Sequence, residues 1–290
     1  MGFRTVVIKS RAKLEHRLNY LVIRGEAEKK IAISEINTLI LQSTAIALTA
    51  SLLNELIENN VKVIFCDKKC NPSSELLPYY GSYNVSGKIK EQTEWTEESK
   101  KQVWREIIVR KITEQAKHLC DLGYEEESEL LFGYASEVTD GDLTNREGHA
   151  AKVYFNRIFG EDGSRRKETF ANICLNYGYA VILSAVNREI TACGYLTQLG
   201  IWHRNEYNNF NLGCDFMEPL RVIVDRKMLT LNEAKSDYKR EMIELLNMPI
   251  ISDGKNTTLD VAIRTYVRSL FGRLNGKAES IIFPQMLNQV

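Results

Sequence analysis

A chain of 290 residues is long for one small domain and suits two, and its 44% apolar share is that of an ordinary water-soluble fold. The 38 basic residues are balanced by 38 acidic ones, so net charge argues for neither a nucleic-acid protein nor an acid-adapted one, and any anionic partner must be met by a local basic patch. No stretch reads as a signal peptide. The longest apolar run, 173–190, is interrupted by Asn176, Asn187, Arg188 and Glu189, which makes it a buried helix rather than a membrane span. The six cysteines then point to reduced thiols in a cytoplasm, with no membrane partner.

In chain order, residues 5–8, 18–23 and 30–41 read as strands, with Gly25 and Glu26 as turn residues. Thr49 caps a helix whose apolar positions are Leu52, Leu53, Leu56 and Ile57, and 61–65 is a further strand after Asn60. Cys66 and Cys70 have no second pair to complete a zinc site. Residues 1–70 therefore form a β-rich N-terminal domain. Residues 71–95, with Pro72, Ser73, Gly81, Ser82, Ser86 and Gly87, read as a linker. From Thr96 the period becomes helical: Val103, Trp104, Ile107, Ile108, Ile112, Ala116 and Leu119 share one face, and Gly123 is a stop. Further helices fit 125–136, 145–159, 166–193, 219–225, 231–246 and 258–274. The expected class is α+β, a small β-rich N-terminal domain followed by a larger all-α C-terminal domain over 96–290.

The stretch 201–221 places His203 ahead of Asp215 and Glu218, an imidazole and two carboxylates suited to a divalent ion. Glu147 is the best upstream candidate to complete the set. It projects over the same helix face as Ala151 and Tyr154, where an unpaired carboxylate is costly. Thr144 to Glu147 is also a T-x-x-E capping box, and on pattern alone this is the slightly stronger reading. His203, beside Leu199, Ile201 and Trp202, has the company of a core histidine. Asp215 and Glu218, both ahead of Pro219, also fit an acidic helix start, and Arg221 fits a partner for either acid or for a phosphate. Arg146, Arg157, Arg165, Arg166 and Arg221, interspersed with Tyr154, Tyr177, Tyr179, Trp202 and Tyr207, are candidate DNA contacts, although a solvated helix surface explains most of them equally well.

Two carboxylates and an imidazole favour Mg2+ or Mn2+ on a phosphodiester, the ion polarising a phosphoryl oxygen. Walker A, G-x-S-x-G and H-E-x-x-H sequences are absent, which weakens ATPase, serine hydrolase and zincin readings.

Three blocks, NREGHAAKVYF, NICLNYGYAVILSAVNREITACGYLTQLGIWH and LGCDFMEPLRVIVD, in this order, resemble the core of the CRISPR-associated integrase and endonuclease family, Cas1. ISEINTLILQS, TASLLNELIENN and VKVIFCD resemble that family's β domain, and the glutamate of DFMEP is most similar to members from type II systems. The resemblance implies that Glu147, His203 and Glu218 are catalytic metal ligands and Asp215 an accompanying acid; many members carry aspartate where Glu218 stands. It implies transesterification, in which the 3′-hydroxyl of a captured double-stranded DNA fragment attacks a repeat end. The implied partners are a second copy through the β domain, a small Cas2 subunit and other type II CRISPR proteins. Summing over several subunits would offset the zero net charge.

Two other readings make different predictions. A non-catalytic helical DNA-binding scaffold would bind DNA after chelation and cleave nothing. A phosphohydrolase would turn over a small ester without DNA. The asparagine-rich loop 204–214 is expected to order on DNA, and the C-terminal IIFPQMLNQV fits a partner-binding tail and a last packed strand equally well.

Overall fold

The computed structural model describes residues 4–68, 70, 72–76, 78, 84–160, 169–234 and 237–287, and the chain divides into two compact units, 1–83 and 84–290. In the first, β1 (Arg4–Ile8), β2 (Ala12–Arg17), β3 (Tyr20–Arg24), β4 (Glu28–Ala32), β5 (Ile36–Leu41) and β6 (Ile46–Leu48) precede α1 (Ala50–Glu58), β7 (Lys62–Cys66) and β8 (Pro72–Leu76). They form two four-stranded sheets, ordered β1-β5-β7-β8 and β4-β3-β2-β6. β5 runs parallel to both β1 and β7 and is buried along nearly its whole length, which suits its near-continuous apolar sequence. Leu52 and Leu56 of α1 complete a core with Leu14, Leu21, Leu39 and Val63. Thr49 caps α1 as expected, its hydroxyl accepting the Leu52 N–H at 3.3 Å.

Two expected strands are differently bounded. The run 18–23 begins as a strand only at Tyr20. Leu18 and Asn19 have φ of 49° and 65° and form the two-residue turn that joins β2 to β3, with Arg17 paired to Tyr20. The run 30–41 is divided by a 3-10 turn over Ile33–Glu35. Within 71–95, Pro72–Leu76 pairs with β7 as β8, and α2 (Val85–Thr93) opens the second unit.

The second unit continues with α3 (Glu97–Asp121), α4 (Glu125–Ser136), α5 (Arg146–Phe159), α6 (Phe170–Ala192), α7 (Asn211–Met217), α8 (Arg221–Leu229), α9 (Tyr238–Glu244), β9 (Pro249–Ser252), β10 (Lys255–Thr258), α10 (Leu259–Leu274) and β11 (Gln285–Met286). α3 packs on α4, α5, α8 and α10, and α6 on α7, α8, α9 and α10. Gly178 is where α6 and α8 come together: a Cβ there would lie 2.4 Å from Cγ1 of Val224. No helix among the described residues is long and apolar enough to cross a membrane.

The helix expected over 231–246 starts only at Tyr238, where the Asp237 carboxylate accepts the Arg240 N–H. Upstream, Asn232 accepts the Ala234 N–H at 3.0 Å, a local turn that competes with helix. The helix expected over 166–193 is seen from Phe170, capped by Thr169; its first residues lie outside the described ones. The helical unit also carries a three-stranded sheet, β10-β9-β11. Its last strand belongs to the C-terminal segment, where Ile281 is buried, Arg110 donates to the Pro284 carbonyl at 2.9 Å and Phe283 packs on Tyr266. Of the two readings of that segment, the packed strand is the one observed.

Candidate metal centre

α3 is amphipathic over most of its length, and the helical period that buries Trp104, Ile107, Ile108 and Ile112 also turns Lys111 inward. Its ammonium lies 2.5 Å from an oxygen of Glu147 and 2.5 Å from an oxygen of Glu218. Lys111 and Glu218 are almost wholly buried, with 9% and 5% of their side chains exposed, and Glu147 keeps 27%.

Glu147 reaches Lys111 because its helix is capped by other groups. The Asp142 carboxylate accepts the N–H groups of Arg146 at 2.8 Å and Glu147 at 2.9 Å. Asn145, in the left-handed region with φ of 53°, accepts the Gly148 N–H. The capping box expected from Thr144 is therefore not the one used: the cap is Asn145, one residue later, and the Glu147 side chain turns to the interior. Glu218 opens a 3-10 turn, Glu218–Leu220, that leads into α8. Its second oxygen takes both Nε and a terminal nitrogen of Arg221 at 2.9 Å. Burial alone would push the Glu218 carboxyl up, but Lys111 and Arg221 outweigh it and hold the group at about 2. Burial likewise works against the Lys111 ammonium, yet Glu218 and Glu147 keep it protonated above its ordinary range.

Asp215 is fully buried inside α7 rather than at a helix start, which corrects the acidic-first-turn reading. One of its oxygens accepts the backbone N–H groups of Ile201 at 2.7 Å and Trp202 at 3.0 Å. The other accepts the N–H of His203 at 3.1 Å and its Nδ1 at 2.5 Å. Gly200 permits this approach, since a Cβ there would lie 2.7 Å from Oδ2 of Asp215. The hydrogen bond to Asp215 raises the His203 imidazole above its ordinary value. Burial opposes it, and Asp215, Glu218 and Glu147 add a favourable field. The ring also stands edge-on to Trp104, on which Trp202 stacks at 5.5 Å. The asparagines of 204–214 hold that stretch: Asn205 and Asn208 accept the N–H groups of Tyr207 and Phe210, and Asn211 donates to the carbonyls of Gln198 and Asn205.

Glu147 and Glu218 thus meet on one cation, and His203 is fixed by Asp215 within their field. Among the described residues no three acidic, imidazole or thiol groups gather closely enough to hold an ion. The donor chemistry nevertheless fits one. The Lys111 ammonium sits as a stand-in cation between two hard carboxylates. His203 is bound at Nδ1, which leaves Nε2 on the opposite edge without that bond, an arrangement compatible with the carboxylate–histidine pairs of metal sites.

Of the arginines proposed for DNA, Arg146 pairs with Glu137 at 2.6 Å, Arg157 with Glu127, and Arg221 with Glu218; Arg165 and Arg166 lie outside the described residues. A largely buried hydrogen-bond chain lies nearby in sequence, on α3, α5, α6 and α8. Asp225 accepts from the hydroxyls of Tyr154 and Tyr179, and His118 Nδ1 is 2.6 Å from the Tyr154 oxygen. Because the Tyr154 hydroxyl has one proton and gives it to a carboxylate, His118 must donate from Nδ1. Burial, with Arg226 adding to it, lowers His118 to about 4, so the ring is neutral. The Arg221 guanidinium lies over the Tyr179 ring at 4.7 Å, joining this hydrogen-bond chain to Glu218. Sequence reading missed Lys111, whose signal was a lysine at the apolar positions of a long helix.

The model of the family described as CRISPR associated protein Cas1 matches residues 5–247. The chain belongs to the Cas1 family. It is 33% identical to a CRISPR-associated endonuclease Cas1 of Neisseria meningitidis serogroup C (strain 8013), over 99% of this chain and 97% of the relative. A casposase bound to integration product has the same fold, with a TM-score of 0.78 at 20% identity, covering 96% of this chain and 92% of that one. A Cas1 chain fold also recurs in a Cas6-RT-Cas1–Cas2 complex, with a TM-score of 0.74 at 16% identity, over 100% of this chain and 36% of the longer one. The α+β architecture is the one these Cas1-type proteins share.

Proposed function

We propose that Glu147, His203 and Glu218 hold a Mg2+ or Mn2+ ion with which this Cas1-family chain breaks and joins DNA phosphodiesters. The chain is an endonuclease and integrase of CRISPR spacer acquisition, joining the 3′-hydroxyl ends of captured fragments to repeat ends. The observation that carries the site is the meeting of Glu147 and Glu218, distant in sequence, around a single positive charge. When bound, the ion supplies a Lewis acid that polarises a phosphoryl oxygen and stabilises the attacking or leaving oxygen. Glu147 and Glu218 offer hard oxygen ligands, and Arg221 fixes the second oxygen of Glu218. Asp215 keeps a proton on Nδ1 of His203, so the proton that leaves before ligation is the one on Nε2.

The casposase bound to integration product and the Cas1–Cas2 assembly support DNA and a Cas2 subunit as partners. The finer reading adds self-association through the β-rich residues 1–70, a connecting 71–95, a catalytic 96–290, DNA contacts from Arg146, Arg157, Arg165, Arg166 and Arg221, further type II CRISPR proteins and a cytoplasmic site of action.

The test is strand transfer and cleavage by Glu147→Gln beside the wild type, with Cas2, in Mn2+ and in EDTA. Loss of at least about 100-fold is expected, the upper end of what is lost when only a group hydrogen-bonded to a metal ligand is changed. EDTA should abolish wild-type activity while the chain stays folded, its unfolding temperature falling only by what the bound ion adds. Full activity in the variant would mean that Glu147 is no ligand.

A further inference from the structure

Four charged side chains form the centre: Lys111 and Arg221 against Glu147 and Glu218, two positive and two negative, with His203 and Asp215 a bonded pair beside them. The four charges balance among themselves. A dication entering between Glu147 and Glu218 would bring two further positive charges into a largely buried cluster, where like charges repel more strongly than in water. Arg221 has little freedom to leave. Its planar fork is fixed on one oxygen of Glu218, and its face lies over Tyr179. Lys111 differs. It carries a point charge at the end of a flexible four-carbon stem and occupies the position between the two carboxylates.

We infer that Lys111 is the resident counter-cation of the centre, holding Glu147 and Glu218 together in the metal-free protein and yielding its place to the divalent ion. The inference rests on the metal-centre reading above and deepens it: ion binding here is an exchange of ammonium for metal. Lys111 is accordingly a positioning residue. It preserves the spacing of the acids between cycles, and its attraction to them weakens metal binding.

The experiment is Mn2+ titration of the full chain, read from the paramagnetic resonance signal of the unbound ion, so that no catalytic step enters the measurement. Lys111→Met removes the charge and retains the apolar stem. It should bind Mn2+ about tenfold more tightly or better, because no ammonium has to be displaced. Lys111→Arg, which keeps the charge, should not tighten binding. The metal-free Met variant should unfold at a lower temperature than wild type, with Mn2+ restoring more of its stability than it adds to wild type. Equal or weaker Mn2+ affinity in Lys111→Met, with binding still lost in Glu147→Gln, would overturn the counter-cation role and leave the metal centre standing. No Mn2+ binding by wild type or Lys111→Met would overturn the metal centre itself. If Lys111→Met folds only with Mn2+, the ion has replaced the ammonium, as expected. If both Lys111→Met and Lys111→Gln fail to fold even with Mn2+, the ammonium is not exchangeable and the inference falls.

Discussion

Each oxygen of Asp215 serves two donors, and an amide cannot. In Asp215→Asn the single carbonyl oxygen keeps one pair, either Ile201 and Trp202 or the two groups of His203, while the NH2 faces the other two donors. Two bonds are lost, and because the donors are mostly only partly buried each costs toward the lower end of about 1–3 kcal/mol. The expected outcome is a fall of about 2–4 kcal/mol in urea unfolding, with a 10- to 100-fold loss of strand transfer in Mn2+. A weakened fold with full activity would make Asp215 purely structural. The proximity of Asp215 to His203 was legible in their short separation along the chain. Its four-donor role was not, since that depends on how 201–203 folds back on α7. Glu147 shows the opposite limit. T-x-x-E is a sound local signal, but Asn145 in a left-handed conformation moves the cap by one residue and frees the carboxylate for Lys111, a partner that no local pattern specifies.

At the scale of elements, the long helices were legible because burial follows the 3.6-residue period and the caps are of the preferred types: Thr49, Thr96 and Thr169 each accept the N–H three residues on. Hairpins were harder. β2 has alternating Ala12, Leu14 and His16 against Lys13, Glu15 and Arg17, but few residues favoured in strands, and the turn after it contains Leu18 where such turns prefer asparagine. Asp253-Gly254, with φ of 51° and 69°, is a more regular signal for the β9–β10 hairpin, obscured by the polar strand that follows. The β2–β3 turn can therefore be improved. Leu18 is 90% exposed with φ of 49°, so its side chain contributes little packing and its backbone is strained. Replacing Leu18-Asn19 by Asn-Gly should raise unfolding stability by about 0.5–1 kcal/mol, measured in urea. A loss of stability would mean that Leu18 has a role beyond the turn.

For the whole molecule, the decisive quantity is the balance of 38 basic against 38 acidic residues. A neutral protein gains nothing from its overall field on approaching a duplex. The described arginines expected at DNA do not escape this, because Arg146, Arg157 and Arg221 each sit against a glutamate of the same chain. Every phosphate they reach must replace a carboxylate, so one copy should release few counterions and bind DNA weakly. In the assembly with Cas2 proposed above, several copies would act on one duplex, and their small footprints would add. The slope of log affinity against log salt scales at about −0.9 for each phosphate neutralised on duplex DNA. Fluorescence anisotropy with a labelled duplex should therefore give a shallow slope for the chain alone and a slope roughly twice as steep or more once Cas2 is added, together with tighter binding at low salt. Tighter binding with an unchanged slope would mean that neither Cas2 nor a second copy adds phosphate contacts, and the account of how a neutral chain holds DNA would have to rest on contacts other than charge.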